Sequence, residues 1–333
     1  MVRWGIAGCG WVAHDFAAPA IAASVNGTLA AVHDHDPAAM ARFGAPAFAD
    51  LGALLAGVDA LYVATPNHAH RALVGAAARA GVPVLCEKPM AATMADAQAM
   101  VAACQTAGVL YATAFDQRFH AAHQRVAALV AEGALGTVTA VRIVYACWVG
   151  PAFNAALGGD NWRIDPARAG GGALIDLAPH GLDLAQMILG SPLVEIAAMG
   201  QAQVHPYPVE DGAVLMARTA SGALVQLHVA YNCPETLPRR RLEVVGTGGQ
   251  IVATDTMGQT PGGTVEFIDA ATGIAHLIEV PGVERSPFLN QVEAFARAVE
   301  GEPFAFTPQG DLALMALVLQ AQAQARPELH HAA

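Results

Sequence analysis

A glycine-rich segment near the N-terminus constrains the fold more than any other part of the sequence. Residues 8–13 read GCGWVA, which matches the pattern GxGxxG/A between an apolar run and an alanine-rich stretch of helical composition. In this pattern the first glycine permits a tight turn, the second lets backbone amides approach a pyrophosphate, and a small third residue lets helix and strand pack closely. The sequence therefore predicts a βαβ unit that binds a dinucleotide at its first turn. The residues expected at the cofactor are Gly8, Gly10, Trp11 and Val12.

Asp34 ends the second predicted strand and bears on the choice of cofactor. A carboxylate about 20 residues after the glycines accepts hydrogen bonds from the adenosine ribose and repels a 2′-phosphate. Position 35 is His, where an arginine would favour NADP, so NAD is predicted in preference to NADP. A structural role is compatible with this one, because Asp36 before Pro37 suits a helix N-cap. No metal site is predicted here, since neighbouring side chains alternate in direction along an extended segment.

Length and composition indicate a two-domain globular protein that acts on a small molecule. The 333 residues exceed the usual size of one core, and 54% hydrophobic residues with 14% charged residues suit a compact chain. No stretch approaches the roughly 20 apolar residues of a membrane span. The net charge of −11 and only 17 Lys and Arg disfavour nucleic acid as a partner.

The N-terminus and the cysteines favour a cytoplasmic location. The chain enters its first predicted strand without the apolar region of a signal peptide ahead of it. The five cysteines are odd in number and form no CxxC pair. Neither a disulfide framework nor a zinc site is therefore predicted.

Two domains follow from a change of pattern near residue 118. Strands and helices alternate before it, which predicts an α/β Rossmann domain with a parallel sheet at residues 1–118. Beyond it, segments rich in β-formers are joined by turn dipeptides such as Ser221-Gly222, which favour hairpins. Residues 119–333 are therefore predicted to form an α+β domain with a large, mostly antiparallel sheet. Helices are expected in it near residues 120–132, 174–189, 289–299 and 311–325.

Three ordered motifs resemble those of one family of oxidoreductases. Residues 65–70 read TPNHAH, residues 84–89 read VLCEKP, and residues 170–180 read GGGALIDLAPH. The chain resembles the Gfo/Idh/MocA family, which includes glucose-fructose oxidoreductase and inositol dehydrogenase. Residues 161–163, NWR, are particularly similar to 1,5-anhydrofructose reductases and related sugar dehydrogenases. One departure stands at residues 116–118, DQR, where many relatives carry an Asn-Arg pair; this places a negative charge near the nicotinamide.

The resemblance implies catalytic roles for three residues. Lys88 would reach the nicotinamide ribose and the substrate oxygen, and His180 would be the general acid and base. Asp176 precedes His180 by one helical turn, so it would orient or tune the imidazole or bind a sugar hydroxyl. The alternatives are a surface lysine at a strand end for Lys88 and a satisfied core histidine for His180.

Further residues are predicted around the cofactor and the substrate. Thr65, Asn67, His70 and Glu87 are assigned to the cofactor, although residues of this type also cap helices and turns. Arg118, Trp162 and Arg163 are assigned to the substrate, with a structural role between the domains as the alternative. His120 and His123 are expected to be exposed helix residues.

The predicted function is an NAD-dependent oxidoreductase acting on a secondary alcohol or ketone of a monosaccharide, polyol or related cyclic compound. Two alternatives use the same scaffold: a glycoside hydrolase that oxidises its substrate transiently with NAD, and a non-catalytic NAD-binding sensor. The resemblance and the open face of the second sheet predict a homodimer or homotetramer.

Overall fold

The first domain is built on a parallel five-stranded sheet. The computed structural model describes residues 1–153 and 160–325 of the chain. The strand order is β2-β1-β3-β4-β5, and every pair is parallel. This confirms the predicted Rossmann domain. The strands are β1 (Val2–Ala7), β2 (Gly27–His33), β3 (Ala60–Val63), β4 (Val84–Glu87) and β5 (Tyr111–Ala114).

Helices connect these strands, and their ends follow local capping chemistry. Asp36 caps α2 by accepting a hydrogen bond from the N–H of Ala38 at 2.9 Å, as expected from its place before Pro37. The helix that follows the glycine turn begins with a π-helical turn at Ala13–Ala17. The helices are α1 (Ala18–Ala23), α2 (Pro37–Ala41), α3 (Leu51–Leu55), α4 (His70–Arg79) and α5 (Met94–Ala107).

The second domain contains an eight-stranded sheet in the order β13-β12-β11-β10-β6-β9-β8-β7. All neighbours are antiparallel except β6 and β9, which are parallel. This confirms a mostly antiparallel sheet. The strands are β6 (Val138–Ala146), β7 (Leu193–Gln201), β8 (Gly212–Thr219), β9 (Leu224–Ala230), β10 (Arg240–Gly246), β11 (Gly249–Thr254), β12 (Thr264–Asp269) and β13 (Ala275–Leu277).

One face of this sheet is covered by helices, and the other is open. The long helix α8 packs on β6, β8 and β9, and burial alternates along the strands as expected for a sheet with one solvated face. The remaining helices of the domain are α6 (Ala121–Ala131), α7 (Pro166–Ala169), α8 (Ala173–Leu189), α9 (Pro287–Val299) and α10 (Pro308–Gln324). In the described residues no helix is both long and apolar enough to cross a bilayer.

The two C-terminal helices tie the domains together. Phe288, Val292 and Phe295 of α9 are buried in one apolar cluster with Trp4 and Ile6 of the first sheet. Helix α10 packs on α8 and on α5. Residues of the predicted second domain thus complete the core of the first. The division at residue 118 stays a prediction. Residues 326–333 lie outside the described residues.

His120 and His123 are buried, so the expectation that they are exposed was wrong. His123 is 0% exposed and His120 is 1% exposed. The Nδ1 atom of His123 lies 3.0 Å from the carbonyl oxygen of Gln117, and its Nε2 atom lies 3.0 Å from Oγ1 of Thr256. Burial lowers the pKa of His123 to about 3. The neutral ring therefore serves packing between α6 and the loop that follows β11.

Candidate active site

A deep cleft lies between the two sheets, at the carboxyl ends of the parallel strands. Its volume is about 840 Å³, which is in the range of cofactor and substrate sites. Ligands bind at this edge in open α/β sheets because the helix N-termini and the turn amides converge there. The first domain contributes the glycine turn, Asp34 and Lys88, and the second contributes α8 and the ends of β6 and β10.

The glycine turn forms one end of the cleft. Gly8 has φ +95°, and a Cβ atom on it would lie 2.7 Å from the backbone carbon of Ala64 and from the nitrogen of Thr65. Asp34 accepts hydrogen bonds from the N–H of Cys9 at 2.7 Å and of Asp36 at 3.0 Å. Gly10 has open space where a Cβ would stand. The turn is therefore held rigidly by its neighbours while Gly10 faces free volume.

Gly8→Ala and Gly10→Ala are expected to separate folding from cofactor binding. Alanine at position 8 meets backbone atoms and an unfavourable φ, so the melting temperature should fall by several degrees and dinucleotide binding should be lost. Alanine at position 10 meets no protein atom, so it should melt like wild type but bind the dinucleotide at least about tenfold more weakly. Thermal melts and titration of protein fluorescence measure both. Equal melting temperatures for the two variants would contradict this account.

The loop after β3 offers unpaired polar atoms to the cleft. Within the described residues, Oγ1 of Thr65 and Oδ1 of Asn67 are buried without a hydrogen-bond partner, and both residues line the cleft. The amide nitrogen of Asn67 donates to the carbonyl oxygen of Ala169 at 2.7 Å, which ties this loop to the second domain. Buried polar atoms are normally paired. The hydroxyl and amide groups of a bound dinucleotide fit these orphaned atoms.

His70 does not line the cleft, which corrects its assignment to the cofactor. Its ring is 0% exposed and lies between two carbonyl oxygens, with Nδ1 at 3.0 Å from that of Met90 and Nε2 at 2.9 Å from that of Thr65. Burial lowers its pKa. His70 therefore holds the two loops that carry Thr65 and Lys88, and it acts on a cofactor only through them.

Lys88 and Asp176 meet in the centre of the cleft. Nζ of Lys88 lies 2.6 Å from Oδ1 of Asp176 and donates to the backbone carbonyl of the same residue at 2.9 Å. The hydroxyl of Tyr231 donates to the other carboxylate oxygen at 2.8 Å. Burial opposes ionisation of Asp176, but the Lys88 ammonium and Arg163 hold its pKa well below the usual value. The pair presents an oriented cation to the cleft, with an exposed side-chain fraction of 12% for Lys88.

The carboxylate beside His180 is Asp116, a residue that sequence reasoning did not assign to catalysis. Nδ1 of His180 lies 3.3 Å from Oδ1 of Asp116, whereas Asp176, its expected partner, bonds to Lys88 and Tyr231. Gln117 donates to the second oxygen of Asp116 at 2.8 Å. Burial opposes the ionisation of Asp116, yet His180 and Gln117 lower its pKa. The sequence signal for Asp116 was the DQR at residues 116–118, where many relatives carry an Asn-Arg pair. The spacing of one helical turn between Asp176 and His180 instead favoured Asp176 as the partner of the imidazole.

Asp116→Asn is expected to lower kcat about 10- to 100-fold without weakening dinucleotide binding. Removing the charge leaves His180 without an anion against its Nδ1 atom, and general acid–base catalysis as a whole contributes about 10²- to 10⁴-fold. Steady-state rates and fluorescence titration with the dinucleotide would measure the two effects. Asp269→Asn, at the end of β12, makes the same chemical change at a residue that does not line the cleft and is the control. Unchanged kcat in Asp116→Asn would show that Asp116 does not position His180.

Aromatic rings and Arg163 form the opposite wall. The ring of Trp11 meets Phe153 edge to face at a centroid distance of 5.6 Å. The guanidinium carbon of Arg163 lies 4.7 Å from the ring of Trp162 and 5.8 Å from that of Trp11. Nε of Arg163 is 3.6 Å from Oδ2 of Asp176. The structure thus brings the predicted residues Trp11, Trp162 and Arg163 to one side of the Lys88 ammonium.

Arg118 lies outside the cleft, which corrects its assignment to the substrate. Its side chain is 6% exposed and binds two buried carboxylates, with its Nη2 atom 2.6 Å from Asp183 and 2.6 Å from Asp311. The guanidinium also stacks over Phe306 at 4.0 Å. Its Nε and Nη2 atoms donate to these carboxylates within the fold. Its place between α8 and α10 assigns it to the junction of the domains.

Glu87 lines the cleft as a buried carboxyl group. The hydroxyl of Tyr62 donates to its Oε1 atom at 2.6 Å, and the N–H of Lys88 lies 3.2 Å from Oε2. Burial raises the pKa of Glu87 to about 7, although the Lys88 ammonium and the Tyr62 hydrogen bond act in the opposite direction. A carboxyl group that takes up a proton near neutral pH therefore stands next to the central lysine.

Glu87 is expected to make stability depend on pH, and Glu87→Gln should remove that dependence. The unfolded chain loses this proton near the ordinary glutamate pKa of 4.5 and the folded chain near about 7, so ionisation favours unfolding between these values. The free energy of unfolding of wild type, relative to Glu87→Gln, should fall by about 3 kcal/mol from pH 4 to pH 8. Urea titrations at each pH give this difference. If the difference in free energy of unfolding between the two proteins stays constant from pH 4 to pH 8, Glu87 is not protonated near neutral pH in the folded protein.

Comparisons with known proteins agree with this architecture. A family model of oxidoreductases with an NAD-binding Rossmann fold matches residues 2–115, and a model of the GFO/IDH/MocA C-terminal domain matches residues 123–252. The chain is 32% identical over 308 residues to the 1,5-anhydro-D-fructose reductase of Ensifer adhaerens, covering 90% of this chain and 89% of that protein. It is also 32% identical over 305 residues to D-xylose 1-dehydrogenase (NADP(+)) 2 of Haloferax volcanii, with the same coverage. The structure of an aldose-aldose oxidoreductase from Caulobacter crescentus, complexed with glycerol, superposes with a TM-score of 0.85 at 27% identity, covering 98% of each chain.

Proposed function

This chain belongs to the Gfo/Idh/MocA family of oxidoreductases, and we propose that it transfers hydride between NAD and a secondary alcohol or ketone of a monosaccharide, polyol or related cyclic compound. The observation that carries the proposal is the meeting of Lys88, bonded to Asp176, and His180, beside Asp116, in the cleft below the glycine turn. A non-catalytic NAD sensor has no use for these two pairs.

Lys88 and His180 divide the handling of the substrate oxygen. A nicotinamide held at the glycine turn would supply the acceptor for the hydride of the carbinol carbon. The Lys88 ammonium favours the alkoxide that develops on the oxygen, and in reduction it polarises the carbonyl. The ring of His180 takes up the hydroxyl proton in oxidation and returns it in reduction. Asp176 anchors the lysine through two contacts to one residue, which fixes where the positive charge stands.

Asp34 supports NAD as the preferred cofactor. Its carboxylate is already engaged by the backbone of the turn at 2.7 Å, so a 2′-phosphate would meet a fixed negative charge there. Nδ1 of His35 also lies 3.0 Å from Asp34, and the imidazole is exposed to solvent. The guanidinium of Arg42 donates to the carbonyl of Cys9 at 2.9 Å, so a cation also stands at the glycine turn and would weaken this preference. One relative named above uses NADP(+) by name.

The names of the relatives support a carbohydrate substrate. Two are a reductase of 1,5-anhydro-D-fructose and a dehydrogenase of D-xylose. The charged groups of Lys88, Arg163 and Asp176 all line this cleft, which suits a ligand that carries several hydroxyls. We therefore propose sugars and polyols as the substrate class.

A screen of candidate substrates tests the function. Purified protein is incubated with NAD or NADP and a panel of aldoses, sugar acids, polyols and inositols, and the absorbance of the reduced nicotinamide is followed. Turnover is expected with at least one member, at a higher kcat/KM with NAD than with NADP. The absence of turnover with every member of the panel would overturn the proposal. Release of an aglycone from a glycoside without accumulation of NADH would indicate the hydrolase alternative instead.

We also propose that the chain forms a homodimer or homotetramer through the open face of the second sheet. Large apolar side chains are exposed together on β7, β8 and β9, where a soluble monomer rarely leaves such a patch. Sedimentation at micromolar concentration tests this, and a monomer would contradict it. The exposed side chains are Val194, Met199, Val214, Met216 and Leu224.

A further inference from the structure

Arg240 lines the cleft from the second sheet. It is the first residue of β10 and pairs with Tyr145 of β6 in the antiparallel register. Paired residues of an antiparallel ladder present their side chains on the same face. The ring of Tyr145 meets the imidazole of His180 edge to face at 5.5 Å. Arg240 therefore shares a sheet face with the ring that contacts the proposed acid–base residue, and both residues line the cleft.

Four other cations that line the cleft lie near carboxylates. Lys88 pairs with Asp176, Arg168 pairs with Asp160, and Arg239 pairs with Glu235 at 3.2 Å. Arg163 has Asp176 within 3.6 Å.

Arg240 has no such partner. In the described residues its side chain makes one hydrogen bond, from Nη1 to Oγ1 of Thr260 at 3.3 Å. Its buried Nε atom has no hydrogen-bond partner among these residues. No carboxylate of the described ranges lies within ion-pair distance of its guanidinium. A partly buried guanidinium with a buried free N–H is costly unless an acceptor completes it.

The loop after β11 holds this guanidinium in place. A Cβ atom on Gly258 would lie 2.8 Å from Nη1 of Arg240 and 2.9 Å from its central carbon, so the glycine backbone packs directly on the group. The loop itself is fixed by Gln117, which donates to the carbonyl of Gly258 at 2.8 Å. The guanidinium is thus a preorganised fork of donors rather than a mobile surface cation.

We propose that Arg240 binds an anionic group of the substrate, so that the enzyme acts on sugars that carry a carboxylate or a phosphate in preference to neutral sugars. This inference rests on the proposed oxidoreductase function. A carboxylate or a phosphate pairs with the guanidinium through two parallel hydrogen bonds, which a neutral hydroxyl cannot do. Lys88 and His180 then meet a hydroxyl of the same molecule, whose distance from the anion is set by the separation of these side chains.

Matched substrate pairs test the inference. The kcat/KM of wild type is compared for D-glucose against D-glucuronate and D-glucose 6-phosphate, and for D-galactose against D-galacturonate and D-galactose 6-phosphate. The kcat/KM of at least one anionic sugar is expected to exceed that of the matched neutral sugar at least about tenfold. Arg240→Gln should lower kcat/KM for the anionic member about 10- to 100-fold more than for the neutral member, mainly through KM. For each neutral sugar, the anionic derivative with the higher kcat/KM shows whether Arg240 prefers a carboxylate or a phosphate.

Arg241→Gln is the matched control. Arg241 is the next residue of β10 and points to the opposite face, where its Nε atom lies 2.6 Å from Oε1 of Glu243. It does not line the cleft, so its substitution should leave both members of each pair unchanged. An equal effect of the two substitutions would overturn the inference.

The outcomes separate this inference from the function on which it rests. If neutral sugars are oxidised as well as anionic ones and Arg240→Gln changes neither, the inference fails and the function stands. If no sugar is oxidised, the function fails, and the inference is decided by calorimetry with D-glucuronate or D-glucose 6-phosphate in the presence of NAD. If neither sugar binds, or if both bind equally well to wild type and to Arg240→Gln, the inference is overturned. If Arg240→Gln does not fold, the wild-type preference for anions decides, which should weaken between 0.05 and 0.5 M salt.

Discussion

Lys88→Met is expected to lower kcat by about 10³-fold or more while the protein still folds and still binds the dinucleotide. The ammonium is the positive group nearest to the reacting oxygen in the proposed complex, and removing one such preorganised donor costs about 10²- to 10³-fold in kcat, with the loss of substrate orientation added to it. Methionine keeps the apolar stem. Asp176 keeps its hydrogen bond from Tyr231 at 2.8 Å and has Arg163 within 3.6 Å, so its charge is not left unpaired.

Single-turnover rates at saturating sugar and fluorescence titration with NAD would measure this result. Lys88→Arg is the informative companion, because it keeps the charge but replaces a compact ammonium with a planar fork that cannot occupy the same two contacts to Asp176. It should recover only a small part of the activity. A Lys88→Met enzyme within tenfold of wild type would place the reacting oxygen elsewhere in the cleft.

Arg118→Met is expected to lower the free energy of unfolding by about 3 to 5 kcal/mol, because it leaves buried carboxylates without their cation. Asp183 is 4% and Asp311 3% exposed, and both bind the same guanidinium. Burial raises the pKa of Asp183, and Arg118 opposes that shift. Asp311 also accepts the N–H of Thr113 at 3.3 Å, so the loss reaches from α8 and α10 to β5.

Urea denaturation followed by circular dichroism would measure this loss. Arg125→Met is the matched control, since Arg125 is 34% exposed and pairs with an exposed Glu132 at 3.4 Å; an exposed pair of this kind contributes at most about 1 kcal/mol. If the two variants lose equal stability, Arg118 is not the cation on which the junction depends. A triple variant that also carries Asp183→Asn and Asp311→Asn should recover part of the loss, because the uncompensated charges are then gone.

Local patterns in the chain were sufficient for the fold. The glycine turn, the alternation of strands and helices before residue 118 and the hairpin dipeptides after it each depend on a few neighbouring residues, and the structure has the predicted sheets. The parallel pairing of β6 with β9 and the packing of α9 on the first sheet involve residues far apart in the chain. No local pattern reports such pairings, because they depend on how the whole chain closes.

The sequence by itself also determined which segments surround the cleft, since the three family motifs all border it. Only the tertiary structure decided which charged groups pair within it. Spacing along α8 placed Asp176 and His180 on one face, but the ammonium of Lys88 reaches Asp176 from another domain, and Asp116 reaches His180 from the loop after β5. Arg118, which was predicted at the substrate, binds Asp183 and Asp311 for the same reason. Electrostatic partners are set by distance in space and by burial, and neither quantity can be read from the position of a residue in the chain.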